Sequence, residues 1–116
     1  MPIIKEDNGN IYDGNIENGI YNGYGRLIIF DNNNYKIYEG NFKNGKLNGN
    51  GKLIISDGTI FIGDFINNEY DNGKLSVKIK NNEYKEYNIV NGIIKDNNLF
   101  LSKNNNTNIY YLNYVI

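Results

Sequence analysis

The sequence predicts an all-β protein, an elongated single-layer antiparallel meander built from β-hairpin repeats. A stretch bounded by glycines and centred on an Asn-Gly step, 38–53 (YEGNFKNGKLNGNGKL), recurs with small changes at 12–27 (YDGNIENGIYNGYGRL) and at 61–75 (FIGDFINNEYDNGKL). In the first strand of the middle copy, aromatic or glycine residues alternate with polar residues, with the period of two that defines a β-strand. Apolar residues never hold a period of 3.6 over three turns, so the sequence predicts no helix.

Each copy is predicted to form one hairpin. In the middle copy, Tyr38, Gly40 and Phe42 fall on one face of the first strand, and the polar residues between them fall on the other, wet face. The Asn-Gly step at 44–45 closes the hairpin, because both residues tolerate positive φ. We expect aromatic rings to lie over bare glycine backbone, at Gly40 for example. The glycines predicted to serve turns and close packing are Gly14, Gly19, Gly25, Gly40, Gly45, Gly51, Gly63 and Gly73.

The differences between the copies support the same prediction. The turn glycines Gly19 and Gly45 become Asn68, the residue that best replaces glycine at positive φ. The third copy is one residue shorter between its paired glycines than the second. The first repeat spacing exceeds the second by three residues, and we place these in a longer loop at 31–34 between hairpins.

The predicted strands of the three copies are 10–17, 24–30, 36–43, 51–56, 59–66 and 73–80. Residues 3–5 resemble the end of a repeat and are predicted to form an edge strand. After residue 80 the pattern decays into a degenerate fourth repeat with a turn at 91–92, followed by strands at 99–102 and 108–114. We predict a single domain over 1–116, with recognisable repeats at 10–77 and a degenerate repeat with C-terminal cap strands at 78–116.

An aromatic-x-Gly step, an Asn-Gly step and a Gly-x-Gly step, repeated at a period near 23, resemble the MORN repeat (membrane occupation and recognition nexus). The resemblance covers about three repeats, with Phe61, Asn68 and Asp71 as departures in the third. It implies an elongated, single-layer, twisted antiparallel sheet. It also implies a role in protein association and, in some members, contact with phospholipid.

The composition argues against several kinds of site. The net charge is −1 and the isoelectric point is near 5.3, which gives no electrostatic attraction to nucleic acid or to an anionic bilayer. Aromatic residues interleaved with lysines could stack bases, but this charge balance argues against nucleic acid. The chain has no cysteine, so disulfides and thiolate metal sites are excluded. We predict no cofactor.

No catalytic constellation is visible in the sequence. Histidine and cysteine are both absent, so a general base would have to be Asp, Glu, Lys or Tyr. Asp13 and Glu39 recur at one repeat position and are predicted to be solvated surface carboxylates. The glycines at 23 and 25 lie in a hairpin rather than before a helix, and the 31–34 segment lacks the glycine and bidentate glutamate of a calcium loop. We therefore predict that the protein is not an enzyme and holds no metal.

Aromatic residues supply the candidate partner-binding site. A single-layer sheet cannot bury both of its faces, so the aromatic face is either packed by its own curvature or offered to a partner. Packing within the chain is the better interpretation for each ring alone, but as a set the rings predict a broad binding groove. The predicted partner-binding residues are Tyr12, Tyr38, Phe42, Phe61 and Phe65, with Tyr110, Tyr111 and Tyr114 in a second, C-terminal candidate.

We therefore predict a non-enzymatic protein-binding module that occupies the surface of another protein, as a blocking inhibitor or as a scaffold. Self-association through exposed sheet edges is a further expectation. The alternative is peripheral binding to phospholipid, although the polybasic cluster that usually supports it is missing.

Source and location are expectations only. The abundance of Asn, Ile, Lys and Tyr is typical of an AT-rich genome, and an inhibitor carried by a virus or phage would fit it. No basic leader with an apolar core is visible, and no apolar run is long enough to span a bilayer, so we expect a cytoplasmic protein.

Overall fold

The computed structural model of the protein describes residues 3–95. These residues form one nine-stranded antiparallel sheet in which the strands follow sequence order, so each strand pairs only with its neighbours in the chain. This part of the chain is elongated, with extents of 52 × 28 × 21 Å. The strands are β1 (Ile3–Lys5), β2 (Ile11–Glu17), β3 (Ile20–Asp31), β4 (Asn34–Lys43), β5 (Lys46–Ile55), β6 (Ile60–Ile66), β7 (Glu69–Lys80), β8 (Glu83–Val90) and β9 (Ile93–Ile94).

The all-β prediction and the meander topology are confirmed for this part of the chain. Strand β1 pairs with β2 as an edge strand, as predicted for residues 3–5. Residues 3–95 contain no helix, and so none that could cross a membrane. The strands predicted at 99–102 and 108–114 lie outside the described residues.

Four hairpin turns have two successive residues at positive φ, the backbone that a tight turn between twisted strands requires. Asn-Gly supplies three of these turns and Asn67-Asn68 supplies the fourth, so the predicted replacement of glycine by Asn68 is confirmed by its φ of 73°. Every non-glycine residue with positive φ in the described part of the chain is an asparagine: Asn18, Asn32, Asn44, Asn67, Asn68, Asn82 and Asn91.

The longer loop predicted at 31–34 is wrong. Strand β3 continues to Asp31 and β4 begins at Asn34, which leaves only a two-residue turn between them. Asn32 adopts positive φ in this turn. The three extra residues of the first repeat spacing therefore lengthen two paired strands, where they add ladder hydrogen bonds and side-chain pairs.

A bulge in each repeat explains a second difference from the predicted strands. In the first repeat, Gly14 pairs with Gly25 and Ile16 pairs with Tyr21, so three residues of β3 oppose one residue of β2. The second repeat has the same arrangement, and the third has two residues against one because its loop is one residue shorter. Strands β3, β5 and β7 begin before these bulges, four or five residues earlier than predicted. The glycine-containing segments that were predicted to precede these strands are part of the sheet.

The turn of each repeat is hydrogen-bonded to the bulged strand of the preceding repeat. The backbone N–H of Gly45 donates to the carbonyl oxygen of Tyr21 at 3.0 Å, and that of Asn68 donates to Leu47 at 3.0 Å. Leu47 N–H in turn donates to the Asn68 side-chain oxygen at 2.8 Å. Gly92 repeats the contact with Asp71 at 2.8 Å. These bonds tie successive hairpins together at one side of the array.

The core lies along one face of the sheet, which we call the inner face. Its buried side chains come from alternate positions of successive strands, so they form a continuous layer without a second sheet or a helix over the described residues. They are Tyr12, Leu27, Phe42, Leu47, Leu53, Phe61, Phe65, Leu75, Tyr87, Ile89 and Ile94. The opposite face, which we call the outer face, carries the residues between them.

Candidate functional site

Four of the five aromatic residues predicted to bind a partner belong to the core of the sheet. Tyr12 and Phe61 are 0% exposed, Phe42 is 3% exposed and Phe65 is 2% exposed. Direct contact between these rings and a partner would require the sheet to open. We therefore assign them a packing role in the closed sheet and look elsewhere for a binding surface.

The rings pack in two similar groups. Tyr12 stacks on Tyr21 with centroids 3.8 Å apart, and Phe42 meets Tyr12 edge-on at 5.3 Å. In the third repeat, Phe61 stacks on Tyr70 at 4.7 Å and meets Phe65 edge-on at 5.3 Å. Both arrangements are favourable geometries for aromatic pairs. The repeated aromatic positions in the sequence are thus the core of the array.

Tyr38 is the exception among the five rings, because it is only half-buried. Leu47 stands in the middle repeat where tyrosines 21 and 70 stand in the others, and a leucine cannot stack on a ring. Tyr38 still meets Phe65 edge-on at 6.4 Å. It also lines a cleft of about 420 Å³ at the far end of β3, β4 and β5, together with Ile29 and Ile55.

The packing glycines lie where rings or neighbouring strands approach closely. A Cβ at Gly25 would lie 2.5 Å from Cζ of Tyr12, and one at Gly73 would lie 2.8 Å from Cζ of Phe61. Gly40 differs from the expectation, since a Cβ there would meet Leu47 at 3.1 Å and the backbone oxygen of Asn50 at 2.6 Å, with no ring among its nearest neighbours. Leu47 therefore covers Gly40 in place of an aromatic ring.

The second predicted partner-binding group, Tyr110, Tyr111 and Tyr114, lies outside the described residues. Its role stays a prediction.

The outer face carries an apolar feature that the sequence analysis missed. Five isoleucines are cross-strand neighbours in one continuous row over strands β2 to β6, and we call this row the isoleucine stripe. Each is half-buried by its neighbours and keeps part of its side chain outward. Four pairing steps of about 4.8 Å make the stripe about 19 Å long. Its members are Ile11, Ile28, Ile37, Ile54 and Ile60.

A charged row runs beside the isoleucine stripe, two residues along each strand. Asp13 pairs with Arg26, Arg26 with Glu39, and Glu39 with Lys52, so the signs alternate along four strands. Nε of Arg26 lies 4.0 Å from a carboxylate oxygen of Glu39, and the two side chains are 50% and 37% exposed. At this exposure the pair contributes little stability. The expectation that Asp13 and Glu39 face outward is confirmed.

Two aromatic side chains extend the apolar surface on the other side of the isoleucine stripe. Phe30 pairs with Tyr35 across β3 and β4, and the two are 46% and 40% exposed. The outer face at β3 and β4 is thus ordered as an aromatic pair, an isoleucine pair and a charged pair. Large exposed apolar patches on a folded domain mark interaction sites more often than single exposed residues do.

A sequence signal for the isoleucine stripe was available. Strands that face water on one side alternate apolar and polar residues, yet Leu-Ile-Ile occurs at 27–29 and again at 53–55. Three consecutive apolar residues in a strand place apolar side chains on both faces. The wet outer face was predicted from the polar residues between Tyr38 and Phe42, and that prediction did not extend to the isoleucines nearby on the strands.

The fold raises the pKa values of four tyrosine hydroxyls among the described residues. Burial, followed by the hydrogen bond that Tyr21 donates to Glu6 at 2.6 Å, raises the pKa of Tyr21 well above its usual range. Burial also raises the pKa values of Tyr12, Tyr38 and Tyr70. The Tyr12 hydroxyl donates to the backbone oxygen of Asn15 at 2.7 Å, so this hydroxyl remains hydrogen-bonded although the tyrosine is buried.

The arrangement of acidic groups offers no metal centre within residues 3–95, where acidic side chains do not gather in groups of three or more. Buried side chains in this part of the chain are apolar apart from two tyrosines, Tyr12 and Tyr87, and the Tyr12 hydroxyl is hydrogen-bonded. The surface features that remain for recognition are the outer face, the cleft beside Tyr38 and the hairpin tips.

The fold and the outer face define the class of this protein, an open array of β-hairpin repeats with one self-packed face and one exposed face. The MORN repeat family matches residues 12–33 and 38–60, so the chain contains two MORN repeats. The third hairpin, at 61–75, shows the same glycine pairing and a similar bulge. MORN repeats generally bind proteins or membrane lipids and are generally not enzymes. No curated protein matches the chain.

Proposed function

We propose that this protein is a non-enzymatic protein-binding module that occupies the surface of another protein through its outer face. The isoleucine stripe is the observation that carries the proposal. Cross-strand contacts bury most of each isoleucine, but a solvated sheet face gains nothing from leaving the rest of five such side chains in one row in water. Burial of these remaining exposed parts against a partner would remove this apolar surface from water.

The flanking rows describe the partner that fits. The partner surface needs an apolar strip about 19 Å long to cover the isoleucine stripe. On one side it needs charges of alternating sign to meet Asp13, Arg26, Glu39 and Lys52, and on the other it needs a flat surface for Phe30 and Tyr35. Alternating charges favour one register of the partner over its neighbours, because a shift by one strand brings like charges together.

Affinity capture with matched variants tests this proposal. Ile37→Asn changes the centre of the isoleucine stripe, and Ile66→Asn makes the same change at an outer-face position that is 56% exposed and outside the stripe. Captured protein is identified by mass spectrometry after both variants are shown to fold. We expect one dominant protein that Ile66→Asn retains and Ile37→Asn loses. Equal capture by the two variants would contradict the outer face as the binding surface.

Blocking and scaffolding both agree with such a surface. An inhibitor carried by a virus or phage with an AT-rich genome would cover a functional site of its partner, whereas a scaffold would hold two partners together. The captured protein distinguishes them, because a blocked enzyme loses activity on binding. We further propose that the protein works in the cytoplasm, and fractionation of source cells tests this.

Phospholipid binding is a second candidate, favoured by one surface feature. Lys43 and Lys46 pair directly across a hairpin, and with Asn44, Asn48 and Asn67 they line a polar cleft of about 440 Å³. Two lysines paired across one hairpin would attract an anionic headgroup. Flotation with phosphatidylserine vesicles tests this function, which requires binding that falls with salt and is lost on Lys43→Gln/Lys46→Gln.

A further inference from the structure

We propose that the outer face binds a second copy of this chain, in a face-to-face dimer whose twofold axis runs along the strands between β3 and β4. This inference rests on the proposed function, because it names an occupant for the same surface. A twofold axis in the interface reverses the order of the strands and keeps each position along a strand unchanged. Strand β3 then lies over β4 of the second copy, and β2 lies over β5.

The charged row is self-complementary under this operation. Arg26 comes opposite Glu39 of the second copy, and Asp13 comes opposite Lys52 of the second copy. The order of signs that permits this match is minus, plus, minus, plus along β2 to β5. A row of one sign would repel its own copy. An axis placed on β3 brings Arg26 opposite Arg26 of the second copy, and an axis placed on β4 brings Glu39 opposite Glu39 of the second copy. An axis between β4 and β5 leaves Arg26 opposite Ile62 of the second copy.

The apolar rows match under the same axis. Ile28 comes opposite Ile37 of the second copy, Ile11 comes opposite Ile54 of the second copy, and Phe30 comes opposite Tyr35 of the second copy. The aromatic pair, the charged row and four of the five isoleucines thus meet residues that suit them, while Ile60 comes opposite Lys5 of the second copy. Two twisted sheets pack face to face with their strands aligned to within about 30°, which suits an axis parallel to the strands.

The size of the face predicts a weak dimer. The four matched strands, β2 to β5, lie about 4.8 Å apart and are each about seven residues long, so they present about 440 Å² in each copy, or about 890 Å² for the pair. Stable interfaces begin near about 1,200 Å². We therefore expect a dissociation constant in the micromolar range, and an equilibrium between monomer and dimer that another protein with a better-fitting surface can displace.

Charge reversal in two separate variants tests the inference. In Arg26→Glu the charged row is negative at three successive strands, and in Glu39→Arg it is positive at three successive strands. Each homodimer then opposes like charges. When the two variants are mixed, every contact of residue 26 with residue 39 across the axis again joins opposite charges. Sedimentation velocity at about 200 µM, well above a micromolar dissociation constant, measures the association of each variant and of the mixture.

The expected result is that the wild-type chain dimerises, each single variant raises the dissociation constant about tenfold or more, and the equimolar mixture returns it close to the wild-type value. If both single variants lose association and the mixture does not recover it, the inference is overturned. That result is expected if residues 26 and 39 act only through the ion pair within one chain. Unchanged association of the single variants overturns it too, as does a monomeric wild-type chain.

These outcomes separate the inference from the proposed function. A wild-type chain that stays monomeric while its capture of another protein still depends on Ile37 contradicts the second copy alone. A chain that dimerises with recovery on mixing but captures no other protein leaves the dimer standing and identifies the second copy as the partner of this surface. Circular dichroism of each variant shows that the sheet is intact.

Discussion

Asparagine and glycine set the backbone of this protein residue by residue. The sequence is rich in asparagine, an abundance that the sequence analysis attributes to an AT-rich genome. In the structure, asparagines adopt the positive φ of the turns, and their side chains also link repeats, as between Asn48 and Asn67 at 3.2 Å. The abundance of asparagine therefore meets a structural need, because asparagine tolerates the left-handed backbone that turns require.

The contact between Tyr12 and Gly25 predicts the effect of one added methyl group. A Cβ on Gly25 would meet the Tyr12 ring and hydroxyl, which are packed and hydrogen-bonded. We expect Gly25→Ala to lower the free energy of unfolding by about 1–3 kcal/mol through overpacking. Urea denaturation measures the change.

A double-mutant cycle provides the control for this contact. In a Tyr12→Leu background the ring is gone, so Gly25→Ala should cost at least about 1 kcal/mol less than in the wild-type chain. The same cost in both backgrounds would show that the methyl group meets the backbone of β2 rather than the ring.

The strands were the part of the fold most readily predicted from sequence. Asn-Gly steps and alternating residues placed the hairpins correctly, because both signals are local. The starts of β3, β5 and β7 were missed, since a bulge with glycines reads as a loop until its cross-strand partners are known. The isoleucine stripe was missed for a related reason. It belongs to no single strand and exists only in the register that joins five of them.

The hydrogen bond from Tyr21 on β3 to Glu6, which follows β1, predicts that the stability of the fold depends on pH. The folded state raises the pKa of Tyr21 above its usual value near 10, so it favours the protonated hydroxyl. This contribution is complete below pH 10 and is lost as the pH rises from 10 towards the folded-state pKa. We expect the free energy of unfolding to fall steadily above pH 10, and Tyr21→Phe to reduce the slope.

Glu6→Gln is the matched variant for this prediction. It keeps an oxygen acceptor for Tyr21 but removes the charge that disfavours the phenolate, so its slope should lie between those of the wild-type chain and Tyr21→Phe. Identical slopes for all three chains between pH 9 and 11 would exclude Tyr21 as the group responsible.

Residues 3–95 form a one-dimensional array, because each strand pairs through its backbone only with its neighbours in sequence. Stability in such arrays comes from each hairpin and from its contacts with the next. The inner face holds the array together, and the outer face is left for recognition. If the outer face also joins two copies, scaffolding becomes the better description of the proposed function, because a dimer can bring two bound partners together.

Hydrogen exchange should be graded along the array. Strands β4 and β5 are long and paired on both sides, whereas β1 has three residues and β9 has two. Opening at an end breaks fewer contacts than opening in the middle. We expect amides of β1 and β9 to exchange first and those of β4 and β5 last, as followed by mass spectrometry. Uniform exchange along residues 3–95 would indicate a single cooperative unit.

Photo-crosslinking at two adjacent residues tests most directly which face of the sheet binds protein. Ile37 lies on the outer face, and Tyr38 lies on the inner face and lines the cleft beside it. A photoreactive side chain is placed at residue 37 in one variant and at residue 38 in another. Each variant is irradiated in lysate, to trap another protein, and as the purified chain, to trap a second copy. We expect products from position 37 and none from position 38. Products from position 38 alone would return the binding surface to the aromatic face and contradict the account given above.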